Sequence, residues 1–242
     1  NTVLNYSMLT LLFFTANFIA NGQISEGIYV DTLENNSSKI IHQVKIHSDY
    51  FIYTAYENDP SNFIKTLGGF AKIEKTDSNT QLIVLLEFNS NYEQDSIRQL
   101  SISLKMVGEK LQLSWFEELT LEPIEPKTQD LDGEWLFATR GPDEDQERRG
   151  EESSRKTLKF LKDGTFQWIA YDTESFRFSG TGGGSYSAMD GIYTEHIEFF
   201  SKDNSRVGAQ LDFKYNLQGD DWHHTGNNSK GEPMYEIWAK RN

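Results

Sequence analysis

The chain has 242 residues, 37% hydrophobic and 13% aromatic, enough for one large all-β domain or two modest domains with buried cores. Lys and Arg number 23 against 37 Asp and Glu, a net charge of −14, so a polyanion is repelled and nucleic acid is not expected as a partner. Cysteine is absent, which removes disulfides, thiolate metal sites, a cysteine nucleophile and a lipid-modified cysteine.

The first apolar run is Met8 to Ala20, "MLTLLFFTANFIA", 13 positions long. That is too short to span a bilayer but has the length of a signal-peptide hydrophobic region. Ala20-Asn21-Gly22 supplies small residues at the −3 and −1 positions of a cleavage site, so residues 1–22 are read as a signal peptide. No later segment is apolar enough to cross a membrane. The expected location is the periplasm, the outer-membrane surface or the extracellular space.

Beyond residue 23 the chain repeats itself. "FIYTAYENDPSNFIKTLGGF" (Phe51 to Phe70) lies over "FQWIAYDTESFRFSGTGGGS" (Phe166 to Ser185) without a gap at an offset of 115. "LSISLKMVGEKLQLS" (Leu100 to Ser114) lies over "LDFKYNLQGDDWHHT" (Leu211 to Thr225) at an offset of 111, and "EGIY" (Glu26 to Tyr29) matches "DGEW" (Asp132 to Trp135). Between the copies, Leu121 to Asp130 holds two of the five prolines, which favour extended backbone. The reading is a first unit over 24–122, a linker over 123–129 and a second unit over 130–242.

Within the units the period is two. Leu100, Ile102, Leu104 and Met106 alternate with polar neighbours, and Val207, Ala209, Leu211, Phe213, Tyr215 and Leu217 do the same. "KFLKDGTFQWIAYD" reads as a hairpin turning at Asp163-Gly164, with Phe166, Trp168 and Ala170 on one face. Several short antiparallel strands per hundred residues predict an all-β sandwich or barrel, and the pattern alone leaves the two open.

"LDGEW", "FLKDGTFQW", "GTGGGSY", "IYTEHIEFF" and the closing "YEIWAKRN" resemble the lipocalin-like (calycin) domains common in secreted proteins of the Bacteroidetes. The resemblance covers residues 130–242, and residues 24–122 join it through the repeat. It implies two tandem lipocalin-like antiparallel β-barrels. It also implies structural roles for Gly133 and Trp135 at the closed end, with Arg241 or Lys240 packed across the indole. In such barrels the first loop, here the charged stretch Gly141 to Lys156 with ten charged residues in sixteen, overhangs the open mouth.

Chemistry is sparse. No metal is expected, because the five histidines show no ligand spacing, and His223 and His224 are adjacent in a strand and point to opposite faces. "GTGGG" has neither the lysine nor the following helix of a phosphate loop and reads as a strand that bends sharply. In "IYTEHIEFF", Glu195 shares a face with Tyr193, and near the end Glu236 shares one with Trp238. If those faces are internal, Trp168, Tyr186, Tyr193, Glu195, one of His223 and His224, Glu236 and Trp238 line a pocket with aromatic walls and a few polar anchors. The competing reading makes the carboxyls internal salt-bridge partners of Arg241, Arg177 or Lys240.

The expected function is non-enzymatic binding of a small, partly apolar ligand in the cell envelope, with no cofactor. Two alternatives stand beside it: an interaction subunit of an outer-membrane or secretion complex, and an acid–base enzyme using Glu195 and Glu236.

Overall fold

The computed structural model describes residues 24–35, 38–75, 79–228 and 230–241. The proposed signal peptide lies outside the described residues. The described chain forms two closed antiparallel barrels of eight strands each, every strand hydrogen-bonded to its sequence neighbours and the last to the first. The first barrel comprises β1 (Gly27–Asn35), β2 (Ser38–His47), β3 (Tyr50–Asn58), β4 (Ser61–Lys75), β5 (Thr80–Asn89), β6 (Gln99–Val107), β7 (Lys110–Ser114) and β8 (Glu118–Pro123). The second comprises β9 (Gly133–Arg140), β10 (Arg155–Lys162), β11 (Thr165–Asp172), β12 (Arg177–Met189), β13 (Ile192–Phe200), β14 (Gln210–Gln218), β15 (Asp221–Asn227) and β16 (Pro233–Lys240). Closure leaves no exposed sheet edge. No described helix is long and apolar enough to cross a membrane.

The sequence repeat is a repeat of register. Tyr56 pairs with Phe63 in the first barrel and Tyr171 with Phe178 in the second, each just after a register shift that follows the preceding alanine. A second shift falls at Gly68-Gly69 and again at Gly183-Gly184. Glycine is required there. A Cβ on Gly69 would sit 2.0 Å from the Leu85 carbonyl oxygen, and one on Gly184 2.0 Å from that of His196. The "GTGGG" stretch is thus a bulge that lets the next strand pass close by. At Asp163-Gly164, φ values of 51° and 75° make the two-residue hairpin turn that the sequence announces.

Two expectations change. Val207 and Ala209 do not belong to β14, which begins at Gln210 after a short 3₁₀ turn, Asn204–Arg206. The charged loop after β9 returns along that strand instead of crossing the mouth. Arg149 N–H donates to the Ala138 carbonyl at 2.9 Å, and the Arg148 guanidinium grips Asp221 with two bonds of 2.6 and 2.9 Å. The two barrels share a buried interface.

That interface is built from the outer faces of β3, β5, β10 and β11. Tyr50, Ile52 and Phe88 of the first barrel pack with Leu158, Phe160, Ile169 and Tyr171 of the second in one core cluster. Its contacts are reciprocal between equivalent residues, as in a two-fold dimer. Tyr56 donates to Glu198 at 3.1 Å, and its equivalent Tyr171 donates to Glu87, the equivalent of Glu198, at 2.9 Å. Phe63 stacks on its own equivalent, Phe178, at 6.4 Å between centroids.

Charged groups are sealed into this interface. Burial raises the Glu87 pKa, but Arg241 at 2.9 Å, the Tyr50 hydroxyl at 2.6 Å and Lys156 at 3.3 Å outweigh it and hold the carboxyl below its ordinary value. Lys45 is fully buried beside Gln43, and burial brings its pKa down to about 7 despite the nearby Glu198.

Candidate functional site

The interior of the second barrel is filled at its closed end and hollow toward its mouth. At the closed end Trp135 donates its indole N–H to the Leu131 carbonyl at 2.9 Å and meets Trp222 edge-on at 5.7 Å. The cation over the Trp135 ring is Lys240, at 5.7 Å. Neighbouring residues on a strand point to opposite sides, so Arg241 goes instead to the inter-barrel contact with Glu87 and stacks over Tyr50 and Phe70. Gly133 has a φ of 132°, a backbone state that favours glycine, and lies beside the Lys240 chain.

Above this floor is a cavity of about 290 Å³, walled by Trp168, Phe200, Phe213 and Trp238 and bearing Lys159, Glu195, His224 and Glu236. Of the residues singled out from sequence, Trp168, Glu195, His224, Glu236 and Trp238 meet here. Tyr193 and Tyr186 lie deeper in the barrel's packed interior, Tyr186 bonded through its hydroxyl to Asp132. Burial and then the neighbouring Glu195 carboxyl raise the Tyr193 pKa. His223 is turned away and its ring bonds the Tyr235 hydroxyl at 2.8 Å.

Lys159 was not singled out from sequence. Its ammonium meets Glu195 at 2.9 Å, with side chains 7% and 6% exposed, and lies 5.0, 5.0 and 5.1 Å from the ring centroids of Tyr193, Trp222 and Trp238. The salt-bridge partner of Glu195 is therefore Lys159 and none of Arg241, Arg177 or Lys240. A signal was present, because the Asp163-Gly164 turn places Lys159 directly opposite Trp168 and hence on the same face. Arg206, brought to the rim by the 3₁₀ turn, was likewise not read.

His224 is the unusual member. Its ring is packed by Phe213 at 4.4 Å and Trp222 at 5.0 Å, and neither ring nitrogen has a hydrogen-bond partner. Burial, and then the Lys159 charge, push its pKa well below the ordinary 6.5, so the imidazole is neutral. Its Nδ1 stands 3.8 Å from an oxygen of Glu236, too far for a hydrogen bond, while that oxygen accepts the Trp238 indole N–H at 3.1 Å. Among the described residues no cluster of three or more His, Asp or Glu side chains is arranged to hold a metal.

The first barrel supplies an internal control. By register, the positions of Lys159, Glu195, His224 and Glu236 are those of Val44, Val84, Leu113 and Leu119. All four are buried members of a continuous apolar core. Above them Tyr53, the equivalent of Trp168, bonds His42 at 2.8 Å and Glu117 at 3.0 Å. The rings of Trp115 and Phe116, on the β7–β8 turn, pack edge-on against Tyr53 at 5.1 and 6.2 Å.

Residues 130–242 match the family model "Domain of unknown function (DUF4488)". The match begins just before β9 and covers the second barrel. No curated protein matches the chain. Among solved structures, the Helicobacter pylori beta clamp bound to DNA ligase peptide aligns with 91% of this chain and 58% of its own, at 8% identity and a TM-score of 0.16, a likeness that carries no argument.

Proposed function

We propose that the chain is an exported, lipocalin-like binding protein that holds a small, partly apolar ligand in the second barrel without chemical turnover. One observation carries this reading. Four ionisable side chains occupy interior positions that the sister barrel fills with Val44, Val84, Leu113 and Leu119. The fold closes equally well with aliphatic residues there, and charged groups inside a barrel cost free energy that apolar residues do not. Their presence beside a mostly apolar cavity is the composition of a small-molecule site.

The other two readings meet specific observations. Catalysis by a carboxyl pair is disfavoured because Glu195 is held by Lys159 at 2.9 Å. An interaction role fits the first barrel, whose equivalent interior positions are Val44, Val84, Leu113 and Leu119 and carry no ionisable group. The test is native mass spectrometry of the purified full chain, before and after organic extraction. Binding predicts an extractable mass that is absent from an Ala209→Trp variant, in which the indole fills the cavity. The same adduct on both proteins would remove the second barrel as its site.

A further inference from the structure

The cavity carries a more specific chemical statement, which rests on its being a binding site. The gap of 3.8 Å between His224 Nδ1 and the Glu236 oxygen is too long for direct contact. A third oxygen can stand about 2.8 Å from each and bridge them. Such an oxygen accepts a hydrogen bond from the neutral imidazole N–H and donates one to the carboxyl. A hydroxyl does both; a carboxylate accepts only and would face the Glu236 carboxyl with no proton between them. His224 is nine-tenths or more buried and both its nitrogens are unpartnered, a state that costs free energy until a ligand atom arrives.

The charges around the cavity point the same way. Lys159 is matched by Glu195 at 2.9 Å and Arg206 on the rim faces Asp203 at 3.6 Å, so both cations of the cavity already have a counter-charge. One aromatic wall that would attract a cationic ligand, Trp238, is already turned to the Lys159 ammonium, as are Tyr193 and Trp222 deeper in the barrel. An acid would therefore lose its hydration without a free cation to meet, and an amine would enter beside a resident lysine. At about 290 Å³ the site is at the lower limit of small-molecule pockets, room for a compact ring system and no more.

We propose that the second barrel selects an uncharged alcohol whose hydroxyl bridges His224 and Glu236 and whose apolar body lies against Trp168, Phe200 and Phe213.

The experiment is calorimetric titration of the full-length protein with three compounds of one skeleton: 1-naphthalenemethanol, 1-naphthoate and 1-naphthylmethylammonium. The alcohol is expected to bind at one site, about tenfold or more tighter than either ion. His224→Phe removes that preference. Because a Phe at this position changes the packing, Glu236→Gln serves as a second variant: it lowers alcohol affinity and narrows the gap to the naphthoate. Equal affinities, or tighter binding of either ion, would overturn the proposed ligand class while leaving a binding cavity in place. No heat from any of the three would overturn the binding reading and this inference with it.

Discussion

Removing the ammonium of Lys159 leaves Glu195 buried with no counter-charge. The pair lies at 2.9 Å with both side chains less than a tenth exposed, and three aromatic faces surround the ammonium. Breaking a buried pair from one side costs about 3–5 kcal/mol, because the remaining charge keeps its desolvation penalty and loses its compensation. Lys159→Val is therefore expected to destabilise the second barrel by about that amount. The sister barrel supplies the rescue, since it carries Val44 and Val84 at the two positions. The double variant Lys159→Val/Glu195→Val should recover most of the loss and can exceed the native stability by about 1–4 kcal/mol. Urea unfolding followed by tryptophan fluorescence is a suitable assay, because Trp135, Trp168, Trp222 and Trp238 all lie in the second barrel. A double variant as unstable as the sum of the single losses would refute the reasoning, since it would show no coupling across the pair.

Other consequences follow from the same geometry. Gly69→Ala and Gly184→Ala each drive a Cβ onto a carbonyl oxygen of the neighbouring strand, so each should cost on the order of 3 kcal/mol and lower the melting temperature by about 6–12 °C in calorimetry. Glu87→Gln should cost about 3 kcal/mol because Arg241 and Lys156 stay buried, whereas Glu198→Gln, at the equivalent position, keeps an acceptor for Tyr56, loses the charge near Lys45 and should cost about 1 kcal/mol. The depressed Glu87 pKa gives stability that is present above its ordinary 4.5 and lost as the pH falls through the lower native value, so acid should weaken the inter-barrel contact in hydrogen exchange. Lys45 acts in the alkaline window. Its native pKa is about 7 against an ordinary 10.5, so the unfolded chain binds the extra proton and stability should rise between those values. Lys45→Met should remove that rise.

Local signals made the fold legible. The Asp163-Gly164 turn, the paired Gly-Gly steps and the two-residue alternation of β6 and β14 each depend on neighbours a few positions away. The repeat extended them to the first half. What the alternation hid was that β3 is buried on both faces. Tyr50 to Tyr56 are all buried, three of them facing the first barrel's interior and others covered by the second barrel. A doubly apolar strand on a small barrel was the signal that something packs outside it. Likewise the choice between Lys240 and Arg241 turned on the phase of the last strand, which only the pairing with β9 fixes. Of the site, Glu195, Glu236 and Trp238 were legible from phase alone. Lys159 was equally legible through its register with Trp168, but a lysine between Leu158 and Phe160 reads as a solvated position unless its partner strand is considered.

The most direct test is titration of the full-length chain with 1-naphthalenemethanol, an uncharged fluorescent probe whose single fused ring pair suits the second cavity. Saturable binding at one site per chain, abolished by Ala209→Trp and retained when the first barrel is altered by Phe116→Ala, is the predicted result. A fluorescence rise that Ala209→Trp leaves unchanged, or no saturable binding at all, would contradict the assignment of the second barrel as a small-molecule site.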